Sequence, residues 1–309
     1  MRPLQEKDLP VADHIFRLAF DTFLGGTEPA ALLSDVSLVK TRWTTNPNAA
    51  FVAEADAELV GSNFATNWGS VGFFGPLTIR PDFWDKGIGK RLMAPVMALF
   101  EEWETKHAGL FTFAHSPKHI GLYHKFGFCP RFLTAIMSKA VESTKSTAHW
   151  TKFSETSLDE QEEVLTACRD LTDAIYEGLN VEHEIRAVAH QKMGDTVLLW
   201  SNNKLAGFAV CHTGAGTEAG SGACYIKFAA TRPGQNAEQI FNLLLDACEE
   251  MASAKNLSRL VAGVNTARYE AYRQMLARCF RTDLQGVVMA KPNEAGYNRS
   301  DVYLIDDWR

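Results

Sequence analysis

Two glycines in Asp85-Lys86-Gly87-Ile88-Gly89-Lys90-Arg91 stand where a turn passes into a helix. Glycines there let the backbone come close to a phosphate, and the first free N–H groups of the helix point at it. Lys86, Lys90 and Arg91 crowd the same stretch, so the expected chemistry is anion binding. A glycine pair alone is also a common plain helix start, and the weight has to come from elsewhere. Some thirty residues on, the chain places His115, Ser116, His119 and Tyr123 within one short stretch. The imidazole of His115 has the unperturbed pKa that suits a general base.

The elements that must hold these groups follow from pattern. Phe73 to Ile79 reads as an apolar strand ending at Arg80-Pro81, where proline cannot donate to a ladder. A helix follows the glycines, then a strand over Leu110 to Ala114, then a helix from about Lys118 to Phe126 closed by Gly127. Upstream, a short strand precedes a helix with apolar spacing at Val11, Ile15, Leu18, Ala19 and Phe23. A second helical piece spans residues 31–43, and Phe51 to Ala55 and Leu59 to Ala65 form two strands around Asp56-Ala57-Glu58. Phe132 to Met137 supplies a late strand.

The Gly87-Ile88-Gly89 stretch followed by Leu122-Tyr123-His124-Lys125-Phe126-Gly127-Phe128 resembles motifs A and B of the GNAT superfamily of acetyl-CoA-dependent acyltransferases. Ile79, Pro81, Lys86, Gly87, Ile88 and Gly89 fit the first motif; Tyr123, Gly127 and Phe128 fit the second. Trp84 stands where the family prefers Arg or Gln, Asp85 where it prefers Gly, Ser116 where it prefers Asn, and His119 where it prefers Ala. The resemblance implies acetyl-CoA as cofactor, held by the main chain of Leu77, Thr78 and Ile79 along the pantetheine arm. Lys86, Gly87, Ile88, Gly89, Lys90, Arg91 and Ser116 complete the cofactor set. It implies direct acyl transfer to an amine in a ternary complex. Tyr123 is then the general acid, since a phenol with a pKa of about 10 can share its proton with a thiolate of about 8.5.

The base stays open between His115, a water chain to a carboxylate, and an amine that arrives neutral. His115 and His119 at i and i+4 have no third ligand in the sequence, so no metal is expected. Asn63, Trp68, Phe73 and Phe74 lie on strands expected to face the acceptor, with aromatic core packing as the alternative for at least half of them.

The second half repeats the first. Strands are expected over Thr196 to Trp200, Leu205 to His212 and Ala223 to Ala230. Asn265 precedes Tyr272 by the same seven positions that separate Ser116 from Tyr123. Its counterpart of the glycine loop, Arg232-Pro233-Gly234-Gln235-Asn236-Ala237-Glu238, has no G-x-G and carries a glutamate near its helix start. The fold expectation is α/β (α+β): two GNAT-like domains, each a mixed, mostly antiparallel sheet flanked by helices. Residues 1–140 form the cofactor-binding domain, the polar residues 141–157 a linker, and 158–309 a degenerate copy.

Composition agrees with a globular chain: 309 residues, 46% hydrophobic, 22% charged. Up to Ala140 it carries 14 Lys+Arg and 14 Asp+Glu, so the whole net charge of −6 lies beyond. That argues against a nucleic-acid partner and leaves room for a cationic, small-molecule amine. No apolar run is long enough to span a bilayer and the first residues lack a signal peptide's apolar core, so a cytoplasmic protein without a membrane partner is expected. Six scattered cysteines without a C-x-x-C pair read as buried, reduced side chains. A homodimer is left open, and the rival to an enzyme is a non-catalytic acyl-CoA sensor or regulator.

Overall fold

The computed structural model describes residues 1–26, 35–142 and 145–309. In chain order, the first half contains β1 (Arg2–Pro3), α1 (Leu9–Leu24), α2 (Leu38–Thr45), β2 (Ala50–Ala55), β3 (Glu58–Trp68), β4 (Val71–Phe74) and β5 (Thr78–Ile79). It continues with α3 (Ile88–Glu102), β6 (His107–Thr112), α4 (Pro117–His124) and β7 (Cys129–Ala140). The second half contains β8 (Trp150–Lys152), α5 (Leu158–Asp173), α6 (Glu182–Gln191), β9 (Gly194–Ser201), β10 (Lys204–Gly214) and β11 (Gly220–Thr231). It ends with α7 (Ala237–Ala254), β12 (Arg259–Asn265), α8 (Tyr269–Ala277), β13 (Arg281–Lys291) and β14 (Leu304–Ile305).

Local chemistry explains most of these ends. Helix α1 buries Ala12, Ile15, Phe16 and Ala19 on one face and stops at Gly25, whose φ of 77° is left-handed. The start of α5 is a capping box, with Ser157 and Glu160 bonded to each other at 2.6 Å. The helix expected over 31–43 is α2, beginning at Leu38; residues 31–34 lie outside the described part. The strand expected over 73–79 is two pieces, broken at Gly75-Pro76-Leu77.

The strands join in one sheet, in the order β1-β2-β3-β4-β6-β13-β7-β12-β11-β10-β9-β8. Pairing is antiparallel except for β4 with β6 and β11 with β12, the two places where a helix, α3 or α7, crosses between strands. At the centre the halves exchange strands. From the second half, β13 lies between β6 and β7; from the first half, β7 lies between β13 and β12. The division expected at residue 140 therefore cuts through the sheet rather than beside it. The expected linker also carries β8, which pairs with β9 through Trp150–Leu199 and Thr151–Leu198.

Both faces of the sheet are covered. One core joins Trp68, Phe73 and Trp308 to Phe208 and Phe228 of the second half. A second packs α7 on β10, β11 and β12, and a third packs Phe100, Tyr123 and Phe128 against Phe74 and Met289.

Candidate active site

One strand parts from its neighbour at the candidate site. Val71, Gly72 and Phe73 pair with His107, Ala108 and Gly109 in parallel. Past Gly75 the chain leaves β6, and Thr78 and Ile79 pair only with β3. The Arg80 amide donates to the Val60 carbonyl at 2.8 Å, so by the alternation of a strand the main-chain groups of Ile79 and Leu77 face away from β3. The Ile79 carbonyl is not free: the Trp84 indole donates to it at 2.8 Å.

Beyond Trp84 the chain reaches the start of α3. Gly87 takes φ of 74° as the N-terminal cap, a conformation that costs L side chains energy, and releases the first-turn amides of α3 from intrahelical bonding. A Cβ on Gly89 would lie 3.4 Å from Leu122 of α4 and 3.6 Å from Leu77, so helix start, α4 and the parted strand converge at this residue. Lys90 and Arg91 are exposed there, and Lys86 rests its ammonium 4.3 Å from the Phe83 ring. The Asp85 carboxylate is matched by Lys118 of α4 at 2.7 Å, and Lys118 also stands 5.5 Å over Trp84. The negative charge that Asp85 adds to the loop thus meets a cation absent from the sequence motif.

Tyr123 sits on α4 at 7% exposure, edge-on to Phe74 with ring centres 5.6 Å apart. Phe74 is the last residue of β4 before the strands part, and both rings lie in the core with Phe100 and Phe128. Burial pushes its pKa up, so it stays protonated at neutral pH. Ser116 caps α4, its hydroxyl accepting from the His119 amide at 3.4 Å.

His115 lies exposed in the turn before α4, stacked on Phe23 of α1 at 5.8 Å. His119 packs on the same ring at 4.9 Å, and burial, then the charges of Lys118 and His115, hold its pKa below the ordinary value. His119 is therefore the more enclosed imidazole of the pair, and burial favours its uncharged form. Among the described residues no group of three His, Cys, Asp or Glu side chains is placed to hold a metal ion.

Three expected acceptor contacts are corrected. Asn63 is fully buried, donating to the Leu92 carbonyl at 3.3 Å and accepting from the Phe64 amide at 3.0 Å. Trp68 is enclosed by Phe73 and Phe228 and donates to Glu184 at 3.2 Å. Phe74 packs among Phe100, Tyr123 and Phe128. The cause is common to all three: helices cover both faces of the sheet, so alternate strand residues enter a core on either side. Phe73 is buried for the same reason.

The corresponding place in the second half is filled by the chain itself. There β14 pairs with β11 through Ala229–Ile305 and Ala230–Leu304, and the Thr231 amide donates to the Tyr303 carbonyl. At the start of α7, Glu238 accepts from the Tyr303 hydroxyl at 3.2 Å and from Gln274.

Residues 14–128 match the family model described as Acetyltransferase (GNAT) family. Over that stretch the chain is similar to a GNAT acetyltransferase domain. This is an acyl-transfer family, and the match spans both the glycine loop and Tyr123. None of the curated proteins matches the chain. A putative acetyltransferase from Pyrococcus horikoshii superposes with a TM-score of 0.69 at 13% identity, covering 99% of this chain and 94% of that one. A GCN5-related N-acetyltransferase from Sphaerobacter thermophilus gives 0.60 at 13% identity, covering 94% of each. A tandem GNAT protein from the clavulanic acid biosynthesis pathway gives 0.56 at 11% identity, covering 93% of this chain and 95% of that one. Likeness over whole chains extends the GNAT fold to both halves. Among the described residues no helix is long and apolar enough to cross a membrane.

Proposed function

We propose that this GNAT protein transfers an acetyl group from acetyl-CoA to the amine of a small molecule, with the chemistry in the first half and a degenerate second copy. The observation that carries the reading is the convergence of three segments at Gly89: the open start of α3, the parted strand at Leu77, and α4, one residue before Tyr123. The first-turn amides of α3 with Lys90 and Arg91 hold a pyrophosphate, as helix starts do. Acetyl-CoA supplies the activated acyl group. The main chain at the parting of β4 and β6 orients the carbonyl, and Tyr123 gives its proton to the departing thiolate. The neutral imidazole of His119 or the exposed His115 takes the proton of the amine. The filled counterpart in the second half supports one cofactor per chain.

Calorimetric titration of acetyl-CoA, followed by coenzyme A release with a panel of small primary amines, tests this. One binding site per chain is expected, and Tyr123→Phe should retain binding while losing turnover by about 10²- to 10⁴-fold. A folded wild type that binds no acetyl-CoA overturns the reading. One observation favours a second reading, an acyl-CoA sensor: Trp84 occupies the Ile79 carbonyl that the pantetheine arm would otherwise reach. It predicts binding without coenzyme A release for every amine tried.

A further inference from the structure

A chain of buried charges begins and ends on the same short stretch of the first half. Arg42 of α2 donates through Nη1 to the carbonyl of Gly75, the residue at which β4 leaves β6. Its Nη2 faces Glu218, in the β10–β11 turn of the second half, at 3.4 Å, and also donates to the Arg309 carbonyl. The other oxygen of Glu218 accepts from Lys227 of β11 at 2.8 Å. Lys227 reaches on to Glu184 of α6 at 3.2 Å, and Glu184 accepts from the Trp68 indole at the end of β3. All four charged side chains are at most 7% exposed. Two cations and two anions balance, as burial requires.

Trp68 and Gly75 bracket β4. The bridge between them runs through three side chains of the second half. Burial works to raise the Glu218 pKa, but Lys227 and Arg42 outweigh it and keep the carboxylate ionised. The same turn and the first residues of β11 grip the approach to α2, where the Ser37 amide donates to the Thr217 carbonyl at 3.0 Å and the Ser221 amide to the Asp35 carboxylate at 2.8 Å.

We infer that Arg42 and Glu218 are positioning residues: the second half clamps β4 at both ends through this charge chain and so fixes the Gly75 carbonyl and the parting of the strands where acyl transfer takes place. The catalytic meaning rests on the function proposed above; the clamp itself does not. A side chain pinned by planar, two-sided bonding loses little mobility when it sets a neighbouring main-chain group, which is what arginine offers and lysine lacks.

Hydrogen exchange on the full chain, read by mass spectrometry, decides it, together with steady-state kinetics. Glu218→Gln removes the charge that faces Arg42. Arg42→Lys keeps the charge balance, and with it the fold, but cannot reach both Glu218 and Gly75. Both variants are expected to exchange residues 74–80 at least tenfold faster than wild type, with the α7 amides unchanged. Turnover should fall at least tenfold in kcat with KM for acetyl-CoA within twofold, a split that general loosening would not produce. Wild-type exchange at 74–80 in a folded variant, or a matching loss of protection in α7, overturns the clamp. A wild type that binds no acetyl-CoA refutes the acetyltransferase reading alone, because the exchange rates judge the clamp without it.

Discussion

Gly89 offers a perturbation whose effects on stability and binding have opposite signs. It is the second residue of α3, where a glycine costs about 0.5–1 kcal/mol relative to alanine. A methyl group there would meet Leu122 and Leu77 at 3.4 and 3.6 Å, ordinary contact distances, so Gly89→Ala should fold and be slightly more stable. The same methyl narrows the crevice between α3, α4 and the parted strand. Gly89→Glu adds a negative charge to it. Against a pyrophosphate of two negative charges at about 4 Å in a water-like medium, the repulsion is about 2 kcal/mol, or about 30-fold in affinity. The assay is acetyl-CoA titration by calorimetry alongside thermal unfolding. Expected are a melting temperature at or above wild type for Gly89→Ala, weaker binding for it, and a loss of at least 30-fold for Gly89→Glu. A Gly89→Glu protein that folds and binds acetyl-CoA as wild type does would refute the placement of the cofactor at this helix start.

Other sites make separate predictions. A Cβ on Gly109 of β6 would lie 1.9 Å from the Trp308 ring, so Gly109→Ala must expel a side chain that is only 3% exposed, at a cost of about 4–6 kcal/mol for some 200 Å² of ring surface; denaturant unfolding checks this, and a loss under 1 kcal/mol contradicts it. Burial, with repulsion from Arg131, holds the His107 pKa down to about 4, and burial with Lys227 does the same for His212. The unfolded chain binds protons on both between about pH 4 and 6.5 and the folded chain does not, so stability rises with pH across that window and is flat above it, by up to about 3 kcal/mol for each. Urea unfolding at pH 7 and pH 5 should show this drop, and His107→Gln should remove about half of it. Residues 1–142 expressed alone lack β13 and leave β6 and β7 with open edges, so they should aggregate, whereas co-expression with residues 143–309 should restore a soluble complex on size exclusion.

The parts of the site that were legible in the sequence are the ones made by neighbours in the chain. A left-handed Gly87 before a helix and a tyrosine one turn before a closing glycine are local requirements, visible as spacing. Trp84 on the Ile79 carbonyl and Lys118 on Asp85 are short-range but depend on how a loop folds back, and a residue's type does not state its partner. Asn63, Trp68 and Phe74 are buried rather than open to an acceptor, because strand position gives the face and not what covers it. The exchange of β7 and β13 is hidden more deeply. Alternation in a strand fixes which residues turn inward, but any antiparallel neighbour with a matching face satisfies it. Arg42 carried no signal at all, since its partners Gly75 and Glu218 lie 33 and 176 positions away.

The exchange also ties the second half to the first. β13 lies between β6 and β7, so the first half's sheet is continuous only when the second half is folded. β13 in turn follows α8, whose buried Ala271 and Met275 join the core that packs α7 on β10 to β12. The contact of Glu238 with Tyr303 at the α7 start leaves that core intact. Disturbing β11 is different, because Lys227 on it belongs to the charge chain that reaches Gly75. The start of α7 thus lies outside the pairing that joins the halves, whereas the second half's sheet is part of it.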